Sequence, residues 1–213
     1  MKNELKIVYE TNHFLVIVKP RNLLSQADHT GDADMLSIVR EYLREKGNKP
    51  GEAYVGLVHR LDRMTSGLMV FAKTSKGAKR ISEQIQTSIF EKSYLAVVEG
   101  YLDGQGTLQN MLIKDEKELK AYVTAHNGKN AILDYEVLDH VEGNTIVSVR
   151  LRTGRYHQIR VQFQAIGHPL VGDSLYGSKA KGPFKLHAYQ LKLQDPITKE
   201  EMVFTDFPSW YKK

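Results

Sequence analysis

Apolar and polar positions along the chain follow two periods, one typical of strands and one typical of helices. Apolar runs over residues 5–9 and 14–18 predict a β-hairpin, and Pro20 ends its second strand because proline has no amide donor for a sheet. Apolar residues recur at helical spacing in three further segments, which predicts helices over residues 35–46, 75–88 and 157–166. Asp34 and Ser75 are the predicted N-caps of the first two helices.

The rest of the pattern is dominated by short strands. Strands are predicted over residues 54–58, 68–72, 90–100, 146–152, 187–193 and 202–205, with several more between residues 101 and 143. No internal repeat or low-complexity linker interrupts the chain. We therefore predict one α+β domain over residues 1–213, built on a largely antiparallel mixed β-sheet with flanking helices and a central basic cleft.

Composition narrows the class of protein. The 213 residues are 41% hydrophobic and 26% charged, ordinary values for a globular protein, and no apolar stretch is long enough to span a membrane. Residues 1–6 lack the apolar core of a signal peptide, so a cytoplasmic protein is expected. The absence of cysteine excludes disulfides and thiolate metal sites. The net charge of +5 and the pI near 9.2 suggest a polyanionic partner.

The most informative segment is the polar loop over residues 58–67, which separates two of the predicted strands. It contains two arginines, a carboxylate, an imidazole and two hydroxyls. A solvated turn would explain an arbitrary loop of this composition. However, loops between buried strands often carry chemistry on a rigid scaffold. The sequence of the surrounding residues favours a loop that carries chemistry.

No metal site or nucleotide-hydrolysis site is predicted. The histidines near this loop and elsewhere lack any recognised metal-binding spacing, and the chain has no phosphate-binding G-x-x-x-x-G-K-[ST] loop.

Residues 57–73, which include His-Arg-Leu-Asp, Thr-Ser-Gly and Phe-Ala-Lys, closely resemble the catalytic motif of the RluA family of RNA pseudouridine synthases. Later stretches resemble further elements of that family in the same order and spacing, namely residues 92–100, 154–161, 167–173, 176–177 and 186–188. The resemblance covers most of the chain and implies the pseudouridine synthase fold.

The resemblance implies a catalytic role for three residues. It makes Asp62 the essential carboxylate and Arg160 the guanidinium that pairs with it, and it places Tyr94 against the target base. Whether Asp62 attacks ribose C1′, removes a proton from C2′ or adds to the base stays open.

The expected partner is structured RNA, either rRNA or tRNA, and no cofactor or metal is implied. The predicted RNA-binding residues are Arg60, Arg63, Lys73, Arg155 and His157. Arg60 is expected to contact RNA or fill the gap left by a flipped base. Arg155 and His157 are expected to bind phosphate or brace the site. A monomer is expected, with no membrane or protein partner and without the separate N-terminal RNA-binding module of some relatives.

Two other functions are compatible with the same residues: a catalytically inactive RNA-binding protein of this fold, and a hydrolase that releases the nucleobase. The chain also departs from the family pattern. Tyr156 stands where a small hydroxyl residue is common, Gln162 where histidine is frequent, and Arg63-Met64 where Lys-Asp is usual.

Overall fold

A computed structural model describes residues 5–47 and 53–212, so most of the N-terminal stretch over residues 1–6 lies outside the described residues. The chain divides into two compact units. Met1–Glu91 and Ala188–Lys213 form the first unit, and Lys92–His187 form the second.

The described residues contain three α-helices, a 3-10 helix and eleven strands. The helices are α1 (Met35–Gly47), α2 (Ser75–Gln86) and α3 (Gln158–Ala165), with the 3-10 helix over Ser174–Tyr176. The strands are β1 (Lys6–Glu10), β2 (Phe14–Lys19), β3 (Gly56–Leu57), β4 (Ser66–Ala72), β5 (Glu91–Glu99), β6 (Gln105–Asp115), β7 (Lys120–Thr124), β8 (Lys129–Val141), β9 (Asn144–Leu151), β10 (Leu186–Gln194) and β11 (Glu201–Thr205).

In the first unit the strands follow the order β1-β2-β4-β10, with β3 beside β4 and β11 beside β10. The predicted β1–β2 hairpin is confirmed, and the strands predicted over residues 187–193 and 202–205 pair as the β10–β11 hairpin. Asp34 caps α1 as predicted, since Oδ1 accepts a hydrogen bond from the Ser37 N–H at 3.0 Å. The predicted cap of α2 is wrong by one residue, because Thr74 Oγ1 accepts from the Gly77 N–H at 3.0 Å and Ser75 is already helical.

Apolar side chains of β2, β4, β10, β11 and α2, together with Phe90 directly before β5, form the core of the first unit. Its buried members are Phe14, Val16, Leu68, Val70, Ala72, Ile81, Phe90, Leu191, Leu193 and Phe204. The loop over residues 58–65 leads into β4, a strand that is buried along almost its whole length.

In the second unit the antiparallel strands follow the order β5-β9-β8-β6-β7. Helical spacing in the sequence puts His157, Arg160 and Gln164 on one side of α3, but the helix is buried around most of its circumference and the three side chains differ in exposure. His157 and Arg160 are buried, whereas Gln164 is exposed. Ile166, the last residue of the helix predicted from the sequence, is 40% exposed because it lies at the C-cap, beyond the last helical turn.

The predicted α+β class is confirmed by the helices and by the antiparallel pairing of the described strands. A single domain over residues 1–213 stays a prediction. No helix within residues 5–47 and 53–212 is both long and apolar enough to cross a membrane.

Candidate active site

The candidate catalytic carboxylate, Asp62, lies in the first unit on the loop between β3 and β4. Its side chain is half-buried, and its carbonyl accepts a hydrogen bond from the Thr65 N–H at 3.0 Å, which closes a tight turn. Ser25 forms hydrogen bonds with both the N–H and the carbonyl of Leu61, the residue before Asp62. Its Oγ accepts from the Leu61 N–H at 3.0 Å and donates to the Leu61 carbonyl at 2.6 Å.

Lys19 holds the other side of the same turn. Its ammonium is fully buried and donates to the carbonyls of Pro20 at 2.9 Å, Leu23 at 2.7 Å and Arg63 at 3.1 Å. An ammonium has three donors, so all of them are used. Burial lowers the pKa of Lys19 to about 7, although the neighbouring Asp62 carboxylate acts in the opposite direction. The two residues that flank Asp62 are therefore both fixed at their backbone atoms.

His59 serves the backbone of β4. Its Nε2 accepts a hydrogen bond from the Val70 N–H at 2.9 Å, and its ring lies 5.2 Å from that of Phe90. Among the residues that the structure describes, no group of three or more His, Cys, Asp and Glu side chains could hold a metal ion.

The predicted RNA-binding cations of the first unit differ in how they are held. Arg60 is exposed. Arg63 is also exposed, and it donates from Nε to Asn22 Oδ1 at 3.0 Å and from Nη1 to Asp32 Oδ2 at 2.7 Å. Lys73 is half-buried and donates to Glu10 Oε1 and to a backbone carbonyl, both at 2.7 Å. The RNA contacts of these residues stay predictions.

The second unit holds the other two candidate catalytic residues. Tyr94 is buried on β5, and Arg160 is buried on α3. Arg160 donates from Nε to Asp173 Oδ2 at 2.7 Å and from Nη2 to Asp173 Oδ1 at 2.8 Å. Its guanidinium carbon lies 4.9 Å from the ring centroid of Tyr176 and 5.4 Å from that of Phe184. The pairing of Arg160 with Asp62 stays a prediction.

His157 braces this arrangement from the N-cap of α3. Its Nδ1 lies 3.0 Å from the Tyr176 hydroxyl, which accepts a hydrogen bond from the Ala121 N–H at 2.8 Å. Burial, followed by the positive charges of Arg160 and Lys114, lowers the pKa of His157 to about 3. A neutral ring can accept the Tyr176 proton at Nδ1. Although its RNA-binding role stays a prediction, the geometry favours the bracing alternative.

Two departures from the family pattern tie α3 to the β6–β7 hairpin. The Tyr156 hydroxyl donates to the Leu119 carbonyl at 3.1 Å, and its ring stacks on His157 at 3.9 Å. Gln162 is fully buried and donates from Nε2 to Asn110 Oδ1 at 2.8 Å. Within this unit, both residues therefore contribute to packing.

Sequence reasoning did not assign a role to Ser25, Lys19, Asp173 or Tyr176. Ser25 lies in a loop without a recognised motif, and Lys19 directly precedes the proline that ends β2. Asp173 and Tyr176 lie in stretches that matched the family, so their position in the motif was the available signal. The partner that each one contacts depends on the folded chain.

Comparisons of the sequence with known proteins identify its family. The family model described as RNA pseudouridylate synthase matches residues 13–165. "Ribosomal large subunit pseudouridine synthase D" of Salmonella typhimurium is 36% identical over 219 residues, which cover 93% of this chain and 65% of that protein. The protein of the same name from Pseudomonas aeruginosa is 37% identical over 182 residues, covering 84% of this chain and 56% of its own length.

Two solved human structures share the fold. "Human RNA Pseudouridylate Synthase Domain Containing 1" has a TM-score of 0.79 at 24% identity, over 99% of this chain and 86% of its own. "Human RNA Pseudouridylate Synthase Domain Containing 4" has a TM-score of 0.80 at 21% identity, over 96% and 89% of the two chains. The chain spans less than two thirds of the two bacterial relatives. As its resemblance to the RluA family predicted, the chain belongs to the RNA pseudouridylate synthase family.

Proposed function

We propose that this protein isomerises uridine to pseudouridine in structured RNA, with Asp62 as the essential catalytic residue. The observation that carries the proposal is the fixed backbone on both sides of Asp62, where Ser25 holds Leu61 and Lys19 holds Arg63. Such a turn presents a carboxylate at a constant position, which is what a reaction at one ribose carbon requires. Family membership supports the same conclusion.

The reaction breaks the bond from uracil N1 to ribose C1′, turns the base and joins C5 to C1′, after which the C5 proton is lost. A carboxylate can attack C1′ or remove the C2′ proton, and it can instead add to the base. Because the glycosidic bond is inaccessible within a stack, the uridine must first flip out.

Tyr94 and Arg160 complete the proposed chemistry. The aromatic ring of Tyr94 supplies an apolar surface for the flipped pyrimidine. The Arg160 guanidinium stays charged at all relevant pH values and favours the ionised form of a neighbouring carboxylate, which is the form that Asp62 needs. Arg60 contacts the RNA or fills the gap left by the base. The proposal needs no cofactor.

The proposed partner is rRNA or tRNA, bound in the cytoplasm by a monomer within a basic cleft. The names of the bacterial relatives make large-subunit rRNA the first RNA to test. The exposed cations Arg60, Arg63 and Arg155 are proposed to contact its phosphates.

The proposal is tested with rRNA and tRNA transcripts that carry tritium at uracil C5. The wild-type protein is expected to release tritium into water while the base stays attached to the RNA. Asp62→Asn should lower the rate by at least about 100-fold, the lower range for removing a positioned acid–base group. Asp103→Asn is the matched control because that carboxylate is 74% exposed, and it should retain the wild-type rate.

Two other outcomes would replace the proposal. Free uracil that still carries its tritium would identify a nucleobase hydrolase. RNA binding without tritium release from any transcript would identify a non-catalytic binding protein. Wild-type rates in Asp62→Asn would overturn the assignment of Asp62.

A further inference from the structure

Lys92 lies beside the proposed base platform within the second unit. It is the second residue of β5, two positions before Tyr94, so both side chains leave the same face of the strand. At about 3.3 Å of rise per residue, their Cα atoms are about 6–7 Å apart. The half-buried Lys92 side chain is therefore within reach of a nucleotide whose base lies on Tyr94.

Within residues 5–47 and 53–212, the Lys92 ammonium has no counter-ion. Among the described residues, no carboxylate or hydrogen-bond acceptor pairs with it, and burial alone lowers its pKa. By contrast, Lys46, Lys73 and Lys192 each pair with a glutamate. A partly desolvated cation without a partner is unfavourable. Such a group gains most when a ligand brings a negative charge to it.

The turn over residues 153–155 lies against this ammonium. A Cβ added to Gly154 would lie 3.3 Å from Lys92 Nζ, so a larger residue would crowd the approach to the cation. Gln158 fixes the turn, because its Oε1 accepts from the Thr153 hydroxyl at 2.8 Å and from the Arg155 N–H at 3.0 Å. Arg155 is exposed and adds a second positive charge at the same turn.

We propose that Lys92, together with the turn around Gly154, forms a binding site for one phosphate of the RNA backbone at the target nucleotide. An ammonium is a compact point charge that suits a phosphate, and the glycine lets the RNA backbone approach. The inference rests on the proposed function in taking the bound polyanion to be RNA. It adds a contact that holds the flipped nucleotide by its phosphate while Tyr94 holds its base.

The first test measures binding in an Asp62→Asn background, where turnover is expected to be at least about 100-fold slower. The probe is a short stem-loop RNA whose loop contains a single uridine. Lys92→Met should weaken binding about tenfold, the loss expected for one hydrogen bond to a charged group. It should also reduce the slope of log K against log salt by about 0.7–0.9. Lys92→Arg should restore the slope. The exposed Lys117→Met is the control and should match the parent protein.

The second test identifies the phosphate. Each phosphate next to the loop uridine is replaced in turn by an uncharged methylphosphonate. One position should weaken binding to the Asp62→Asn protein about tenfold and leave binding to the Lys92→Met protein unchanged, since both changes remove the same contact. If a thermal unfolding experiment shows that Lys92→Met is not folded, Lys92→Gln is used in its place.

The two proposals fail separately. Additive losses at every phosphate, an unchanged salt slope or no binding of the probe would overturn the phosphate site. If the wild-type protein releases no tritium but the coupling between Lys92 and one phosphate remains, the isomerase proposal fails and the phosphate site stands.

Discussion

Arg160 and Asp173 form a buried bidentate ion pair, with Nε 2.7 Å from Oδ2 and Nη2 2.8 Å from Oδ1. The side chains are only 7% and 2% exposed. Because the pair uses the Nε edge of the guanidinium, any other acceptor must approach Nη1 or the second hydrogen of Nη2. The second unit therefore fixes the orientation of Arg160 through its own residues.

Asp173→Asn should lower kcat for tritium release by about 10- to 100-fold with a smaller change in KM, because a misplaced guanidinium affects the reacting geometry more than RNA affinity. In an Arg160→Met background, Asp173→Asn should leave kcat almost unchanged, since Asp173 is expected to act through Arg160. Asp134→Asn is the control, as it breaks an ion pair with the exposed Arg152. Equal losses with and without Arg160 would contradict this role.

Much of the fold could be predicted from the sequence because period and turn chemistry are local properties. The β1–β2 hairpin, α1 and the β10–β11 hairpin all follow from apolar spacing and from the residues that end each element. The error at Ile166 has a local cause as well, since helical spacing was continued one residue past the end of α3.

The supports of the candidate site could not be predicted in the same way. Ser25 is 36 positions from Leu61, and Lys19 is 44 positions from Arg63. Periodicity carries no information about which loop a distant side chain will reach. The interpretation of Asp62 came from family resemblance, whereas the contacts that immobilise its neighbours depend on the packing of β2 against β4.

Lys19→Met should destabilise the protein by about 2–4 kcal/mol, because three carbonyls lose a buried donor. The rate of tritium release should also fall, since the Arg63 backbone is no longer held. Urea unfolding and initial rates measure the two effects. Lys6→Met removes an ammonium that is 63% exposed and pairs with Asp206, and it should cost less than about 1 kcal/mol.

The effect of Lys19→Met should also depend on pH. The pKa of Lys19 is lowered from 10.5 to about 7, so the unfolded state binds this proton more tightly than the folded state. Stability from this group therefore rises between pH 7 and 10.5 and does not change below pH 7. The free-energy difference between wild type and variant should grow across that interval. A constant difference would contradict the buried ammonium.

Gly67→Ala should destabilise the protein by at least about 3 kcal/mol, because two penalties add. Gly67 has φ +117°, and a Cβ there would lie 2.4 Å from the Ala188 carbonyl oxygen. Gly31→Ala separates the two effects, since Gly31 has φ +74° but nothing within 4 Å of its added Cβ. The free energy of unfolding of Gly31→Ala should fall by only about 1 kcal/mol. Equal losses in the two variants would show that the contact with Ala188 is unimportant.

His157→Asn should make the protein less sensitive to acid. The pKa of His157 is lowered from 6.5 to about 3, so the unfolded state takes up a proton that the folded ring refuses. The stability that the neutral ring contributes is fully present above pH 6.5 and is lost as the pH falls towards 3, and the loss is about 5 kcal/mol. Asparagine tolerates the left-handed backbone at φ 51° and does not titrate. The free energy of unfolding in urea should therefore differ less between pH 4 and pH 7 in the variant than in wild type. The exposed His126→Asn should keep the wild-type difference, and an equal pH effect in all three proteins would contradict a buried, neutral His157.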